Sequence, residues 1–312
     1  MNWKANQGSL IKYYGGKGGK DYIDMLKWLI KDNGIDTLAD YTLYDIFGGG
    51  GHIACNFIGD CKKVVYNDLG LCIYCFFYCL KNEELREKLR ELLCKTRVNF
   101  NTFTKARLVY SADNDMLSKY AETDEGKIKL AACAYIISQM SFNSNGVTYR
   151  MMKENKNDSD MNFMYTSNYL WKRYIDGLGD ERIKDTMECM ELHNETYQAI
   201  LDGITADEKC IIIADPPYLD ETRTSKGNYA VDGFTPDMHR EMIDRLVKLG
   251  KPTIVCGYEE PEKENKRKSK DAEKETVYRG ENAYIIKSGF KRLEVTNKLA
   301  ATTKQEVVWY KF

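Results

Sequence analysis

The segment LYDIFGGGGH, residues 43–52, decides the fold of this chain. Residues 43–47 predict a short strand, a glycine-rich turn and a helix follow it, and residues 64–68 predict a second strand. A strand, a helix and a second strand form a βαβ unit, which has parallel strands and a right-handed crossover. The segment therefore predicts an α/β fold built on a parallel sheet.

The same alternation of helix and strand continues on both sides of this unit. Residues 21–31 predict an amphipathic helix, whose apolar face consists of Tyr22, Met25, Leu26 and Leu29. Residues 210–215, CIIIAD, form the continuous apolar run that is typical of a strand buried on both faces. A second part of the parallel sheet is therefore expected far along the chain.

The C-terminal third adds one more helix and two strands. Thr235 is a suitable N-cap, Pro236 a suitable first helical residue, and Gly250 a suitable end for the helix between them. Residues 253–256 and 306–312 predict the next strands. Together with the first third of the chain, this region predicts a Rossmann-like α/β domain.

The middle of the chain has a different pattern, because helices dominate there. Residues 83–94 and 127–140 predict apolar helices, and polar stretches rich in Asn, Lys and Tyr separate and follow them. A chain of 312 residues is long enough for one large domain and a smaller lobe. We predict one domain from residues 1–82 and 187–312, with residues 83–186 as an inserted, mainly helical lobe.

Composition limits the classes of protein that the chain can be. Apolar residues make up 43% and charged residues 30%, as in ordinary globular proteins. No apolar run approaches the roughly 20 residues that span a bilayer, and residues 1–12 lack a signal-peptide pattern, so we expect a cytoplasmic protein without a membrane partner. The formal net charge of −1 means that any nucleic-acid partner would bind a local basic surface.

The positions of the cysteines predict packing in the hydrophobic core and not a metal site. Of the ten, Cys72, Cys75 and Cys79 lie at helical spacing in the apolar run LGLCIYCFFYCL. Thiols in such a run pack as small hydrophobic groups, and no nearby His or second Cys pair completes a zinc site. We therefore predict buried, reduced thiols and no metal site.

The glycine-rich turn predicts a cofactor that contains adenosine. Gly49, Gly51 and Ala54 match G-x-G-x-x-A, in which glycines let a ligand approach the backbone closely. Asp68 follows Gly51 by 17 residues and ends the second strand, where an acidic side chain can bind ribose hydroxyls. A nicotinamide cofactor and S-adenosylmethionine both fit this pattern.

A second glycine-rich stretch, KYYGGKGGK at residues 12–20, resembles a phosphate-binding loop only superficially. The motif G-x-x-x-x-G-K-[ST] would need glycine at position 14 and Ser or Thr at position 21, whereas the chain has Tyr14 and Asp21. Nucleotide-triphosphate hydrolysis is therefore not predicted, and by itself the stretch indicates only a turn.

The motif DPPY, residues 215–218, carries the most specific chemistry. It follows a buried strand, at the end where open parallel sheets bind ligands. Asp215 and the carbonyl of Pro216 are hydrogen-bond acceptors, Pro216 and Pro217 fix the backbone, and Tyr218 offers a flat ring. Two acceptors on an aromatic NH₂ group would localise its lone pair, so that positioning and electrostatics can promote attack on the methyl group of S-adenosylmethionine.

The motifs also resemble a known family in their order. The succession KYYGGK, DIFGGGG, NDLG, an inserted lobe, ADPPY, NYAVDGFTPDMH and EVVWYKF is similar to the Dam-like DNA N6-adenine methyltransferases, the DPPY type with the alpha order of motifs. The resemblance implies a Rossmann-like S-adenosylmethionine-dependent domain with a helical target-recognition lobe. It also implies double-stranded DNA as substrate, with a cognate restriction endonuclease as a candidate partner.

The resemblance assigns roles to particular residues. Position by position, it implies a cofactor site formed by Tyr13, Lys17, Phe47, Asp68 and Asp215. The segment ELHNETYQAIL resembles the part that holds the adenine of the cofactor, where the family usually has Asp–Phe and this chain has Thr196 and Tyr197.

The same resemblance extends to the DNA-contacting loop. SFNSNGVTYR, residues 141–150, is similar to the loop of the recognition lobe, although that loop is usually shorter. It implies DNA contacts from Asn143 and Arg150. Arg150 could bind guanine through two hydrogen bonds in the major groove, or contact a phosphate instead.

The predicted function is site-specific methylation of the exocyclic amine of adenine in DNA. A cytosine-amine methyltransferase is the alternative within the class, because DPPY can hold either amine. A nicotinamide-dependent oxidoreductase would explain the glycine-rich turn and Asp68 but not DPPY or KYYGGK. A DNA-binding protein without activity is a third alternative, which the intact DPPY disfavours. The recognition sequence and the oligomeric state stay open.

Overall fold

The computed structural model describes residues 10–13, 15–17, 19–141, 146–149, 171, 175–217, 234–259, 280–295 and 305–312. The strands are β1 (Thr42–Asp45), β2 (Lys63–Asn67), β3 (Met190–His193), β4 (Cys210–Ala214), β5 (Thr253–Glu259), β6 (Lys291–Glu294) and β7 (Gln305–Lys311). The helices are α1 (Lys20–Asp32), α2 (His52–Phe57), α3 (Leu71–Lys81), α4 (Glu83–Lys95), α5 (Phe100–Tyr110), α6 (Asn114–Ala121), α7 (Asp124–Met140), α8 (Glu181–Glu188), α9 (Tyr197–Asp202), α10 (Pro236–Leu249) and α11 (Gly280–Lys287).

The strands form one sheet in the order β3-β2-β1-β4-β5-β7-β6. The first five of these pair in parallel, and β7 is antiparallel to both of its neighbours, β5 and β6. This topology confirms the predicted Rossmann-like α/β fold. The strand order reverses between β1 and β4, and open α/β sheets bind ligands beyond the carboxyl ends of the strands at such a reversal. The turns after β1 and β4 therefore border the expected site.

The sheet is covered on both faces, which explains the apolar run in β4. Cys210, Ile212 and Ala214 pack on one side with residues of α9 and α10, while Ile211 and Ile213 pack on the other with residues of α1 and α3. Because alternate residues of a strand point to opposite faces, a strand buried on both sides must be apolar throughout. The prediction for residues 210–215 is confirmed up to Ala214.

Helix ends agree closely with the sequence signals. The Thr235 side chain accepts a hydrogen bond from the Met238 N–H, Pro236 is the first residue of α10, and Gly250 ends the helix at φ +62°.

The apolar face of α1 is confirmed for Tyr22, Leu26 and Leu29, whereas Met25 is only partly buried.

The first strand is shorter than predicted. β1 ends at Asp45, so Phe47 belongs to the turn that follows. The Ile46 N–H still bonds to the Ile213 carbonyl, but the Gly48 N–H bonds to the Asn67 carbonyl at 2.7 Å. The chain therefore leaves β1 and crosses toward β2 before Phe47 can continue the strand.

The predicted lobe contributes helices that pack around α3. Helix α7 lies against α3, α4 and α5, and α8 also contacts α3. Cys72, Cys75 and Cys79 of α3 are buried, and burial raises the pKa of the Cys75 and Cys79 thiols to about 12. These thiols are free and pack as hydrophobic groups. In the described ranges no helix is both long and apolar enough to cross a membrane.

Candidate active site at the strand reversal

A cleft opens at the carboxyl ends of β1 and β4. About 410 Å³ of space lies between its walls, part of which is open solvent at the mouth of the cleft. Three segments that are distant in sequence line it: Tyr13, Gly15, Gly16 and Lys17; then Phe47, Gly48, Gly49, Gly50, His52 and Ile53; then Asp215 and Pro216. The fold thus brings together the two glycine-rich stretches and the first half of DPPY.

Two positions in the turn after β1 can be occupied only by glycine, because of their backbone conformation and their close neighbours. Gly49 has φ +49°, and a Cβ atom there would lie 2.8 Å from the Tyr13 ring. Gly51 has φ +70° and precedes α2, and its Cβ would lie 2.7 Å from the Phe77 ring. Only glycine combines these positive φ values with such close approach. Gly49 lines the cleft, whereas Gly51 packs the start of α2 against α3.

Asp68 holds this turn in place. One oxygen of its carboxylate accepts the Gly49 N–H at 2.8 Å and the other accepts the Gly70 N–H at 2.7 Å. Burial raises the pKa of Asp68 to about 6, although both hydrogen bonds act to lower it. Each carboxylate oxygen can accept more than one hydrogen bond, so Asp68 keeps the capacity to bind a hydroxyl group.

The N-terminal glycine-rich stretch forms the second wall of the cleft. The Gly16 N–H bonds to the Tyr13 carbonyl at 3.2 Å, which makes a tight turn. Lys17 is 7% exposed, and its ammonium forms an ion pair with Glu306 of β7. The stretch, which by itself indicated only a turn, therefore lies beside the glycine-rich turn after β1.

Three aromatic rings pack beside the cleft. The Phe47 ring lies 5.6 Å from the rings of both Tyr197 and Phe234. Thr196 caps α9, because its side chain accepts the Ala199 N–H at 3.3 Å, and the Tyr197 hydroxyl donates to the Met238 carbonyl at 3.1 Å. Phe234 was not predicted as a site residue, although it lies in the stretch NYAVDGFTPDMH.

Two aspartates mark the ends of the central strands. Asp215 and Pro216 follow β4 and line the cleft, whereas the next residue, Pro217, does not line it. Asp45, the last residue of β1, is fully buried, and this burial raises its pKa to about 8, with the carboxyls of Asp215 and Asp68 adding to the shift. Its Oδ2 accepts the Ala54 N–H at 3.1 Å. Its Oδ1 has no hydrogen-bond partner among the residues that the structure describes.

Other predicted site residues lie outside the described residues. They are Tyr218 of DPPY, and Asn143 and Arg150 of the loop assigned to DNA. Within the described ranges, no group of three or more His, Cys, Asp or Glu side chains could hold a metal ion.

Sequence reasoning missed His52, a cleft residue with a titratable side chain. It begins α2, directly after the glycine run, and its imidazole lines the cleft. Burial, and then the positive charge of Lys17, lower the pKa of His52 to about 4. Its position at the end of FGGGGH was the available signal, because the residue that follows a ligand-binding turn begins the next helix at the site.

The fold and the cleft define an α/β protein with a cleft where the strand order reverses, the place at which Rossmann-like enzymes bind their ligands. A family model of the D12 class N6 adenine-specific DNA methyltransferases matches residues 13–299, and the chain belongs to that family. It is therefore an enzyme that methylates the N6 amine of adenine in DNA, using a methyl donor. This finding selects adenine over cytosine and rejects the oxidoreductase and inactive-protein alternatives. No curated protein matches the chain.

Proposed function

We propose that S-adenosylmethionine is the methyl donor and that the cleft binds it. The support is the group of residues around the turn after β1. Asp68 has remaining acceptor capacity for ribose hydroxyls, and the packed rings of Phe47 and Tyr197 offer an apolar surface for adenine. When bound, the donor supplies an electrophilic methyl group attached to a positively charged sulfur.

The shape and charge of the cleft fit this donor. Because Gly49 and Gly50 lack side chains, Tyr13 and His52 pack close to the turn, and the backbone of both glycines lines the cleft where a ligand can approach it. The carboxyl groups of Asp215 and Asp68 both act on the buried Asp45 and raise its pKa. Acidic groups at the edge of a cleft favour a cationic ligand over an anionic one.

Asp215 and Pro216 are proposed to hold the target amine. The Asp215 carboxylate and the Pro216 carbonyl would accept hydrogen bonds from the two N–H groups of adenine N6. These bonds would localise the nitrogen lone pair, and Asp215 is also the acceptor for the proton that the nitrogen loses as it gains the methyl group. Preorganised acceptors of this kind need neither a metal nor a strong base. Tyr218 is proposed to stack on the flipped base, as the sequence predicts.

The observation that carries the proposal is that residues from the turn after β1 and from the turn after β4 line the same cleft. Asp215 and Pro216 line the same space as Phe47 and Gly49, although more than 160 residues separate the two segments. A methyl donor bound at the turn after β1 would therefore face an amine held at the turn after β4. The two ligands would meet without any change in the arrangement of the sheet.

The inserted helices are proposed to contact double-stranded DNA. We keep residues 83–186 as this lobe, with Asn143 and Arg150 as base contacts. Arg97, Lys105 and Arg107 are exposed and form no ion pair with any residue that the structure describes, so they are available to phosphates. In a restriction–modification pair, the methylation would protect DNA from a cognate restriction endonuclease.

The experiment is transfer of label from S-adenosylmethionine labelled in its methyl group to unmethylated double-stranded genomic DNA, followed by digestion to nucleosides. The proposal predicts label in N6-methyl-2′-deoxyadenosine from the wild-type enzyme and little from Asp215→Ala. Asp207→Ala, at the other end of β4, is the matched control and should retain wild-type activity. A wild-type protein that neither binds S-adenosylmethionine nor transfers label would contradict the proposal.

A further inference from the structure

His52 occupies the space between the two glycine-rich segments. A Cβ atom on Gly16 would lie 2.7 Å from both ring nitrogens of His52, and a Cβ on Gly50 would lie 2.7 Å from its Cε1. The absence of side chains at Gly16 and Gly50 therefore makes room for the imidazole. The ring is held by this packing and lines the cleft.

The imidazole nitrogens are available to a ligand. The described part of the chain supplies no hydrogen-bond partner to either of them. The charged or titratable neighbours on the cleft are Tyr13 and Lys17 from the N-terminal segment and Asp215 from the turn after β4, with Asp68 behind Gly49. The low pKa of His52 keeps the ring neutral near pH 7, with one N–H donor and one acceptor nitrogen.

This neighbourhood suits the amino-acid end of the methyl donor. That end carries an ammonium and a carboxylate on one carbon atom, so it needs an acceptor and a positive group side by side. His52 and Lys17 provide them on adjoining parts of the cleft wall. Asp68 and the ring of Tyr197, which are assigned to the adenosine end, are not among the residues that line the cleft.

We propose that His52 binds the ammonium group of the methionine end of S-adenosylmethionine through its unprotonated ring nitrogen. The inference rests on the proposed function, because it takes S-adenosylmethionine as the donor. A neutral imidazole accepts a hydrogen bond from a cation without repelling it, whereas an imidazolium would repel both the ammonium and the sulfonium. His52 would thus fix the donor and help to direct its methyl group toward Asp215.

Titration calorimetry on the free enzyme tests the inference with three ligands. S-Adenosylmethionine has both positive groups, S-adenosylhomocysteine keeps only the ammonium, and 5′-methylthioadenosine lacks the amino-acid end. His52→Phe keeps a ring between Gly16 and Gly50 but removes the nitrogens. A hydrogen bond to a charged group predicts about a 10-fold or greater loss of affinity for the first two ligands and no loss for 5′-methylthioadenosine. His193→Phe, on a half-buried histidine at the end of β3 that does not line the cleft, is the matched control.

Three outcomes would overturn the inference. They are unchanged affinity of His52→Phe for S-adenosylmethionine, an equal loss for 5′-methylthioadenosine, and a loss for S-adenosylmethionine alone, which would indicate the sulfonium instead. If His52→Phe does not fold, His52→Asn and His52→Ala are compared instead. Because Asn retains an acceptor, His52→Asn should bind S-adenosylmethionine and S-adenosylhomocysteine more tightly than His52→Ala does. Wild-type protein that binds none of the three ligands would instead reject the proposed donor site.

Discussion

The turn after β1 and the turn after β4 occupy equivalent places in the sheet but are built in opposite ways. The first is rich in glycine and is tied down by hydrogen bonds: Asp68 accepts the Gly49 N–H, and the Tyr66 hydroxyl donates to the Gly49 carbonyl. The second contains Pro216 and Pro217, which are rigid without such bonds and have no N–H to donate.

This difference separates two tasks at one edge of the sheet. The absence of side chains at Gly49 and Gly50 lets Tyr13 and His52 pack directly against the turn, so that this wall of the cleft includes backbone that a ligand can approach. The segment from Asp215 to Pro217 offers mainly acceptors, which suit an NH₂ group. We infer that the position of the two turns in the fold determines where the ligands meet. The residue types of each turn determine which ligand that turn binds.

The largest effect is expected at the second turn. Asp215→Ala should lower the rate of methyl transfer about 100-fold or more, because a preorganised group that acts on the reacting amine is lost. DNA affinity should stay nearly unchanged, since the carboxylate contacts the amine and not the backbone of the duplex. Methyl transfer and DNA binding by fluorescence anisotropy check the two parts. Near-wild-type turnover would show that the amine is activated elsewhere.

At the first turn, Asp68→Ala should weaken S-adenosylmethionine binding by about 1.5–3 kcal/mol, the range for hydrogen bonds to a charged group. Since the folded pKa of Asp68 is about 6, wild-type affinity should also fall as the pH drops below that value and the carboxylate is protonated. Titration calorimetry between pH 5 and pH 8 measures both effects. Equal affinities for the variant and the wild type would remove Asp68 from the donor site.

The close packing of the glycine-rich segments predicts a third effect. Gly16→Ala should destabilise the fold by about 1–3 kcal/mol, as overpacking does, because the new methyl group meets the imidazole of His52. Gly177→Ala is the matched control, since a Cβ there meets nothing within 4 Å. Urea denaturation compares the free energies of unfolding. If both variants unfold like the wild type, His52 is not held between the segments.

The smallest effect concerns the buried carboxyl beneath the first turn. The pKa of Asp45 is raised to about 8 in the folded protein, above its value of about 3.9 in the unfolded chain. Between these values the folded state holds a proton that the unfolded state has lost, so the free energy of unfolding falls as the pH rises. From pH 7 to pH 8, the wild type should lose about 1 kcal/mol more stability than Asp45→Asn. Parallel urea curves at the two pH values would contradict this.

The sequence predicted the parts of the fold whose signals are local. β4 is an apolar run and α10 has both caps, so each could be found from its own residues. β3 and β6 were missed because each has four residues, of which two in β3 and three in β6 are polar or charged, and each is held by pairing with β2 or β7. The insertion of β7 between β5 and β6 likewise depends on contacts that no local pattern encodes.

The candidate site was predictable to the extent that its residues belong to motifs. Gly49, Asp68 and Asp215 each have a recognisable place at a strand end, and the structure puts them around one cleft. His52 and Phe234 are single residues without a motif of their own. Their importance follows from neighbours that are distant in sequence, Gly16 for His52 and Phe47 for Phe234.

The division of tasks between the two turns is the central claim, and single-turnover methyl transfer over a range of S-adenosylmethionine concentrations tests it most directly. Asp68→Ala should need a higher concentration for half-maximal rate but reach nearly the wild-type rate at saturation. Asp215→Ala should have a nearly normal half-maximal concentration and a rate about 100-fold lower at every concentration. The claim is contradicted if Asp68→Ala stays slow at a saturating concentration of S-adenosylmethionine. It is also contradicted if a high concentration of S-adenosylmethionine restores the rate of Asp215→Ala.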